Sequence, residues 1–251
     1  MTPNVIGTSR HLIFGKLEIW KNHDSLGDSL TNGIYWISLE KPGKRNVENS
    51  FPVFCDMQAG GWTLVFKTVS GNPLRKIARF WKGNDFSRFS PAALNKNPGF
   101  REDYKNRIVH SRNWRTFGPK EARVVLYKNG KEQLVLRFNA SSSTYMNWFS
   151  HPRLLESPWN DLAGSTFNYF KIEGPCWNEE CRDFHINFFY ITCDYDVGWL
   201  AVSSMGITDG CDWEKRFPGN SFIFSKIGKK VNYNQYDDVS GDSDVFAVYV
   251  R

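Results

Sequence analysis

The segment FPVFCDMQAGGWTLVFK, residues 51–67, constrains the fold more than any other stretch of the chain. Phe51, Val53 and Phe54 are strand formers, and Gly60-Gly61 supplies residues that tolerate a reversal. Trp62 to Lys67 then resumes a β-branched and aromatic run, so the segment reads as strand, turn, strand. Cys55 sits in its middle, more than a hundred residues before the next cysteine, Cys176. A disulfide half, a reactive thiol, a metal ligand and a buried side chain are all open at that position.

The same grammar continues along the chain. Gly33 to Leu39 reads as a strand, and Pro42-Gly43 as a turn leading to the hairpin. Residues 73–121 are broken by Pro73, Pro91, Pro98 and Pro119, with short helical turns expected at 91–96 and around 103–109. Asn129-Gly130 between Ala122–Lys128 and Glu132–Phe138 is a strong hairpin signal. Ser150 followed by an early proline predicts a short helix over 151–156. Further strands are expected at 166–173, 184–191 and 198–203. The last, Asp244 to Val250, is dense enough in β formers to be central. The pattern gives an α+β class built on antiparallel sheet, with a variable segment over 1–30 and one globular unit over 31–251. Within that unit, 31–72 is a small N-terminal antiparallel subdomain and 73–251 a larger, loop-rich one with short helices.

Its 251 residues suffice for a sizeable core, and the ten Trp and twenty Phe are its expected anchors. A net charge of +6 falls short of a nucleic-acid-binding signature. No run of eighteen apolar residues exists, so membrane insertion is not expected. Residues 1–24 lack the apolar core of a signal peptide, which fits either an intracellular protein or a chain separated from its leader.

Cysteine usage bears most on the compartment. Cys176 and Cys181 enclose a short closable loop, and Cys193 and Cys211 flank another. Two local disulfides imply an oxidising compartment, while a zinc site lacks its usual C-x2-C knuckles; buried free thiols are the third reading. The sequon at Asn139 is consistent with secretion and glycosylation. No H-E-x-x-H, G-x-S-x-G, P-loop or G-x-G-x-x-G motif is present, and His11, His23, His110, His151 and His185 are scattered without ligand spacing. Two acidic groups could offer oxygen ligands to calcium: Asp194 with Asp196, and Asp237, Asp238, Asp242 and Asp244 around Gly241. Residues 101–123 interleave seven basic residues with Tyr104, Trp114 and Phe117, a pattern that suits either an acidic polymer or an ordinary solvated face.

Asn32-Gly33-Ile34-Tyr35-Trp36-Ile37, then Phe54-Cys55-Asp56-Met57, then Gly60-Gly61-Trp62-Thr63-Leu64-Val65 resembles, in order, the start of fibrinogen C-terminal (fibrinogen-related) domains. Asp196 to Leu200, Cys211 to Glu214 and Asp244 to Arg251 are similar to divergent invertebrate members, secreted coral skeletal-matrix proteins among them. The resemblance implies an extracellular, secreted, non-catalytic recognition module, lectin-like, with calcium near its ligand pocket. It implies a Cys193–Cys211 disulfide. It also leaves Cys55 unpaired, because residues 1–32 hold no cysteine to match the family's first bridge. Ligand contacts are expected at Asp212, Trp213 and Glu214, calcium at Asp194 and Asp196, and partners among glycans or extracellular and cell-surface proteins. A structural matrix or adhesion protein is the alternative, and an enzyme using Cys55 a more distant one.

Overall fold

In the structure, a computed structural model, the described residues are 10–14, 17–21, 31–39, 50–72, 76–87, 102–177, 180–204, 210–217, 219–235 and 240–251. The first strands are β1 (Arg10–Phe14), β2 (Leu17–Lys21), β3 (Gly33–Ser38), β4 (Phe51–Asp56) and β5 (Trp62–Val69). Helix α1 (Ile77–Lys82), β6 (Tyr104–Lys105), α2 (Ser111–Phe117), β7 (Glu121–Lys128), β8 (Lys131–Asn139) and β9 (Leu154–Glu156) follow. The second half contains β10 (Tyr169–Trp177), β11 (Glu180–Tyr190), β12 (Asp196–Ser203), α3 (Asp212–Lys215), β13 (Ser221–Ser225), β14 (Val231–Asn232), β15 (Ser240–Ser243) and β16 (Val245–Val250).

These strands form two antiparallel sheets. The first runs β1-β2-β3-β4-β5-β16-β7-β8-β9, with β6 attached to β5; the second runs β10-β11-β12-β13-β15, with β14 attached to β12. The chain is thus mainly antiparallel β-sheet with short helices, and the strands of 31–72 continue into the same sheet as β7 and β8. The leading segment contributes a hairpin, β1–β2, that pairs onto β3.

The last strand is central as expected, paired to β5 on one side and β7 on the other. Period-two alternation explains its burial on both faces. Phe246, Val248 and Val250 join the main core together with Val124 and Leu126 of β7. Val245, Ala247 and Tyr249 join a second apolar cluster with Trp62, Leu64, Val125 and Tyr127. The main core also takes in Phe184, Ile186, Trp199 and Leu200 of the second sheet, and Trp81 and Trp114 from the helices. Trp81 lies 5.2 Å from Phe66, 5.4 Å from Phe184 and 5.9 Å from Trp148, so aromatic rings bridge the layers.

Both hairpins form where the sequence places them. Asn129 and Gly130 have φ of 52° and 75°, the two left-handed residues of a type I′ turn. In the 51–67 segment, Gly61 N–H donates to Asp56 O at 3.0 Å and Gly60 N–H to Met57 O at 3.1 Å.

Local expectations around prolines and caps fare worse. The helical turn at 103–109 is instead β6 and a turn, because Tyr104 and Lys105 pair with Phe66 and Lys67; the helix starts later, at Ser111. The helix over 151–156 is a single 3-10 turn, His151–Arg153, and Leu154 and Glu156 leave it to pair with Phe138 and Arg137 as an edge strand. Ser150 makes no side-chain cap there. The turn expected at 91–96 lies outside the described residues.

Candidate functional site

Strand β11 carries ionisable side chains where a buried strand should carry none: Arg182, Asp183 and His185 are all buried. Its backbone is bent to accommodate them. Register shifts interrupt its pairing with β12 between Asp183 and Phe189, and Phe184 adopts a φ of 42°. Gly174 of β10 permits the bend, since a Cβ there would lie 2.0 Å from Arg182 O.

The bend places the Arg182 guanidinium between two buried carboxylates. Nη1 is 2.6 Å from Asp196 Oδ2, Nη2 donates to Glu214 Oε2 at 2.9 Å and Nε donates to Glu214 Oε1 at 3.0 Å. Three rings enclose the cation, with centroids 4.8 Å (Trp213), 5.2 Å (Tyr190) and 5.6 Å (Trp177) from Cζ. Burial alone would lower the Arg182 pKa, but Glu214 and then Asp196 more than reverse this and hold it above its ordinary value. Glu214 also accepts from Ser203 Oγ at 2.6 Å and from Cys211 N–H at 3.0 Å, closing the first turn of α3. Asn187 Nδ2 donates to Asp196 Oδ1 at 2.9 Å. Each charge of this cluster thus has an opposite charge beside it, while Asn187 Oδ1, Trp213 Nε1 and Tyr233 OH are buried there without a hydrogen-bond partner.

Two disulfides flank the cluster. Cys176–Cys181 closes the β10–β11 hairpin and Cys193–Cys211 ties the end of the β11–β12 hairpin to α3, with S–S distances of 2.04 and 2.08 Å. Disulfides, rather than zinc or free thiols, are the state of these four residues, and they mark an oxidising environment. Cys55 is a buried free thiol, pushed up to about 12 by burial, with Thr63 Oγ1 3.7 Å away. At that pKa it is protonated and a poor nucleophile.

The sequence-derived site residues separate onto two faces of this region. Trp213 and Glu214 are buried around Arg182, and of the expected ligand residues only Asp212 is exposed. Asp196 faces inward and Asp194 outward, so the pair does not fit a calcium ion: the cation would have to displace Arg182 from a fully buried carboxylate. Asp242 and Asp244 both pair with Lys128, and Asp237 and Asp238 lie outside the described residues. Among the described residues no group of three or more His, Cys, Asp or Glu could hold a metal. Asn139 is exposed. The aromatic members of 101–123, Tyr104, Trp114 and Phe117, point into the core, as do Lys105 and Arg123, which leaves Arg107, Arg112, Arg115 and Lys120 as an ordinary solvated face.

The outward face of the β11–β12 hairpin is different. Phe189 pairs with Val197 and Tyr190 with Asp196 at the end of the ladder, and Ile191 N–H donates to Tyr195 O across the 3-10 turn Cys193–Tyr195. Phe189, Ile191 and Tyr195 are the exposed large apolar side chains of this end. Their exposures are 43%, 63% and 62%. Beside them Asn234 Nδ2 donates to Asp194 Oδ1 at 2.8 Å and Asn232 Nδ2 to Asp194 O at 2.7 Å. Sequence reasoning singled out Asp194 but missed these partners and missed Arg182. The latter was signalled only by charge inside an otherwise apolar strand.

No protein-family model matches the chain, and no curated protein matches it.

Proposed function

We propose that the chain is a secreted, non-catalytic recognition module of the fibrinogen-related kind, lectin-like in use. One observation carries this reading. A disulfide-bonded, ion-paired sheet end holds exposed apolar hairpin side chains above a buried, ion-paired interior. Rigid elements that display a few apolar and polar groups favour binding, because little conformational entropy is lost on contact. The buried histidine fits a scaffold role. His185 is fully buried and pushed down to about 3 by burial and by Arg182, and its Nδ1 lies 3.1 Å from Leu200 O. The two local disulfides and the single buried thiol fit an extracellular domain that lacks the family's first bridge.

The test is retention of the purified protein on a printed array of neutral, sulfated and sialylated glycans, with and without EDTA. Retention that a free sugar competes away supports the reading. Retention that follows charge, disappears in salt and ignores free sugar favours a structural matrix protein instead. No retention on any glycan removes the lectin reading.

A further inference from the structure

The outward face of the β11–β12 hairpin brings together three features that sugar recognition requires. Large apolar side chains are exposed at this hairpin end, Phe189, Ile191 and Tyr195, two of them flat rings. A carboxylate, Asp194, lies next to Tyr195 in the chain and is exposed. Two amides from the 231–235 segment fix that residue, Asn232 on its carbonyl and Asn234 on its carboxylate, with Asn234 N–H donating to Asn232 Oδ1 at 3.0 Å. The Cys193–Cys211 bridge, one residue before Asp194, limits movement of the turn further.

We propose that this face is a binding subsite for a neutral hexopyranose. The inference rests on the recognition reading above and locates it on residues other than the buried Trp213 and Glu214. The C–H face of a pyranose ring packs on Tyr195. A pair of adjacent ring hydroxyls meets the Asp194 carboxylate and the Asn234 amide, which together offer an acceptor and a donor side by side. Hydroxyl donation to a carboxylate is a charge-assisted hydrogen bond, stronger than a neutral one. The preset acid–amide pair removes part of the ordering cost that flexible surface groups impose. The same carboxylate repels sulfate and carboxyl groups, so sulfated and sialylated sugars are disfavoured. Protein docking is less well matched: a protein-binding patch draws most of its energy from a desolvated central pocket, whereas these few side chains sit exposed at a hairpin end. Asp196 is held by Arg182, and among the described residues no group of three or more His, Cys, Asp or Glu could hold a metal, so recognition is direct and independent of calcium.

The experiment uses the intact chain on the same array, followed by titration with methyl hexosides as competitors. Tyr195→Ala and Asn234→Ala are compared with Leu155→Ala, another exposed apolar residue on a different edge. The expected result is retention on neutral hexose glycans that EDTA leaves unchanged. Both hairpin variants lose on the order of tenfold in affinity while Leu155→Ala loses none. Matching near-ultraviolet circular dichroism shows that the variants remain folded, and Tyr195→Phe retains most of the binding because its ring is kept. If the parent chain binds glycans and the hairpin variants bind equally well, the subsite is overturned and the recognition reading stands. If the parent chain binds no glycan, both fall. Abolition by EDTA, a preference for anionic glycans, or retention by a protein partner that sugars do not compete away each overturns the subsite.

Discussion

Arg123 in the first sheet and Arg182 in the second solve the same problem in different ways. Arg123 donates to Asp56 at 2.9 Å and lies between the rings of Trp62 and Tyr249, 4.8 and 4.6 Å from its Cζ. One carboxylate and two rings suffice there, where β16 pairs with β7 without a register shift. Arg182 has two carboxylates and three rings and is flanked by two disulfides. Its strand is bent and its register interrupted, so backbone pairing contributes less and side-chain ties contribute more. Regular sheet needs one polar anchor; irregular sheet needs a network.

Removing each arginine tests that contrast most directly. Arg182→Leu strands two buried carboxylates and should cost about 3–5 kcal/mol in denaturant unfolding. Arg123→Leu leaves one, which Ala59 N–H still contacts at 3.3 Å, and should cost about 2 kcal/mol. Equal costs would break the comparison.

The disulfides give the next effect. Replacing Cys193 and Cys211 by serine opens a sequence separation of 18 and should cost about 3 kcal/mol, whereas the pair Cys176 and Cys181, separated by 5, should cost about 2 kcal/mol. The native protein should show no alkylatable thiol by mass spectrometry and the denatured protein one, Cys55.

Proton linkage sharpens the contrast within β11 itself. Burial first raises Asp183 to about 7, against the lowering effect of Ala78 N–H, which donates to Oδ2 at 2.7 Å; Glu173 raises it and Lys82 lowers it. A raised carboxyl binds its proton more tightly in the native state. Its contribution is therefore full below the unfolded pKa of about 4 and is lost as pH rises through about 7. His185 has the opposite sign: with its pKa pushed down to about 3, its contribution is present above about 6.5 and is lost as pH falls toward 3. Between about 4 and 6.5 the two oppose each other. Asp183→Asn should therefore unmask a loss of stability on acidification, with a slope of up to ~1.4 kcal/mol per pH unit. His185→Gln should unmask a loss on alkalinisation. Urea melts across the range check both, and unchanged pH profiles would falsify the linkage.

The smallest effect belongs to the regular sheet. Gly130→Ala puts a side chain at a φ of 75° but meets no atom within 4 Å, so it should cost about 1 kcal/mol and leave binding untouched.

The same division decides what could be read in advance. β7, β8 and β16 follow local rules, a left-handed Asn-Gly turn and runs dense in β formers, so their position and the central place of the last strand were legible. The disulfide pairs were legible because both close short stretches of chain. The Arg182 network was not: its carboxylates lie 14 and 32 residues away in the sequence and meet it only after β11 bends, which depends on contacts no local pattern encodes. Asp196 was read as a metal ligand because an acidic residue near a cysteine gives no sign of whether it faces a buried cation or solvent. Tyr195, its neighbour, ends the 3-10 turn and is exposed.

The position of β16 also governs the order in which the protein can be made. The strand that joins β5 to β7 leaves the ribosome after the other fifteen described strands, so until it arrives the first sheet exists as two halves with open edges facing each other. Those edges are apolar on both faces, the kind of surface that captures stray strands. Closure pairs residues such as Val69 and Val245, far apart in the chain, which makes folding a late and slow event. The edges of β5 and β7 therefore stay open to other strands until β16 slides between them.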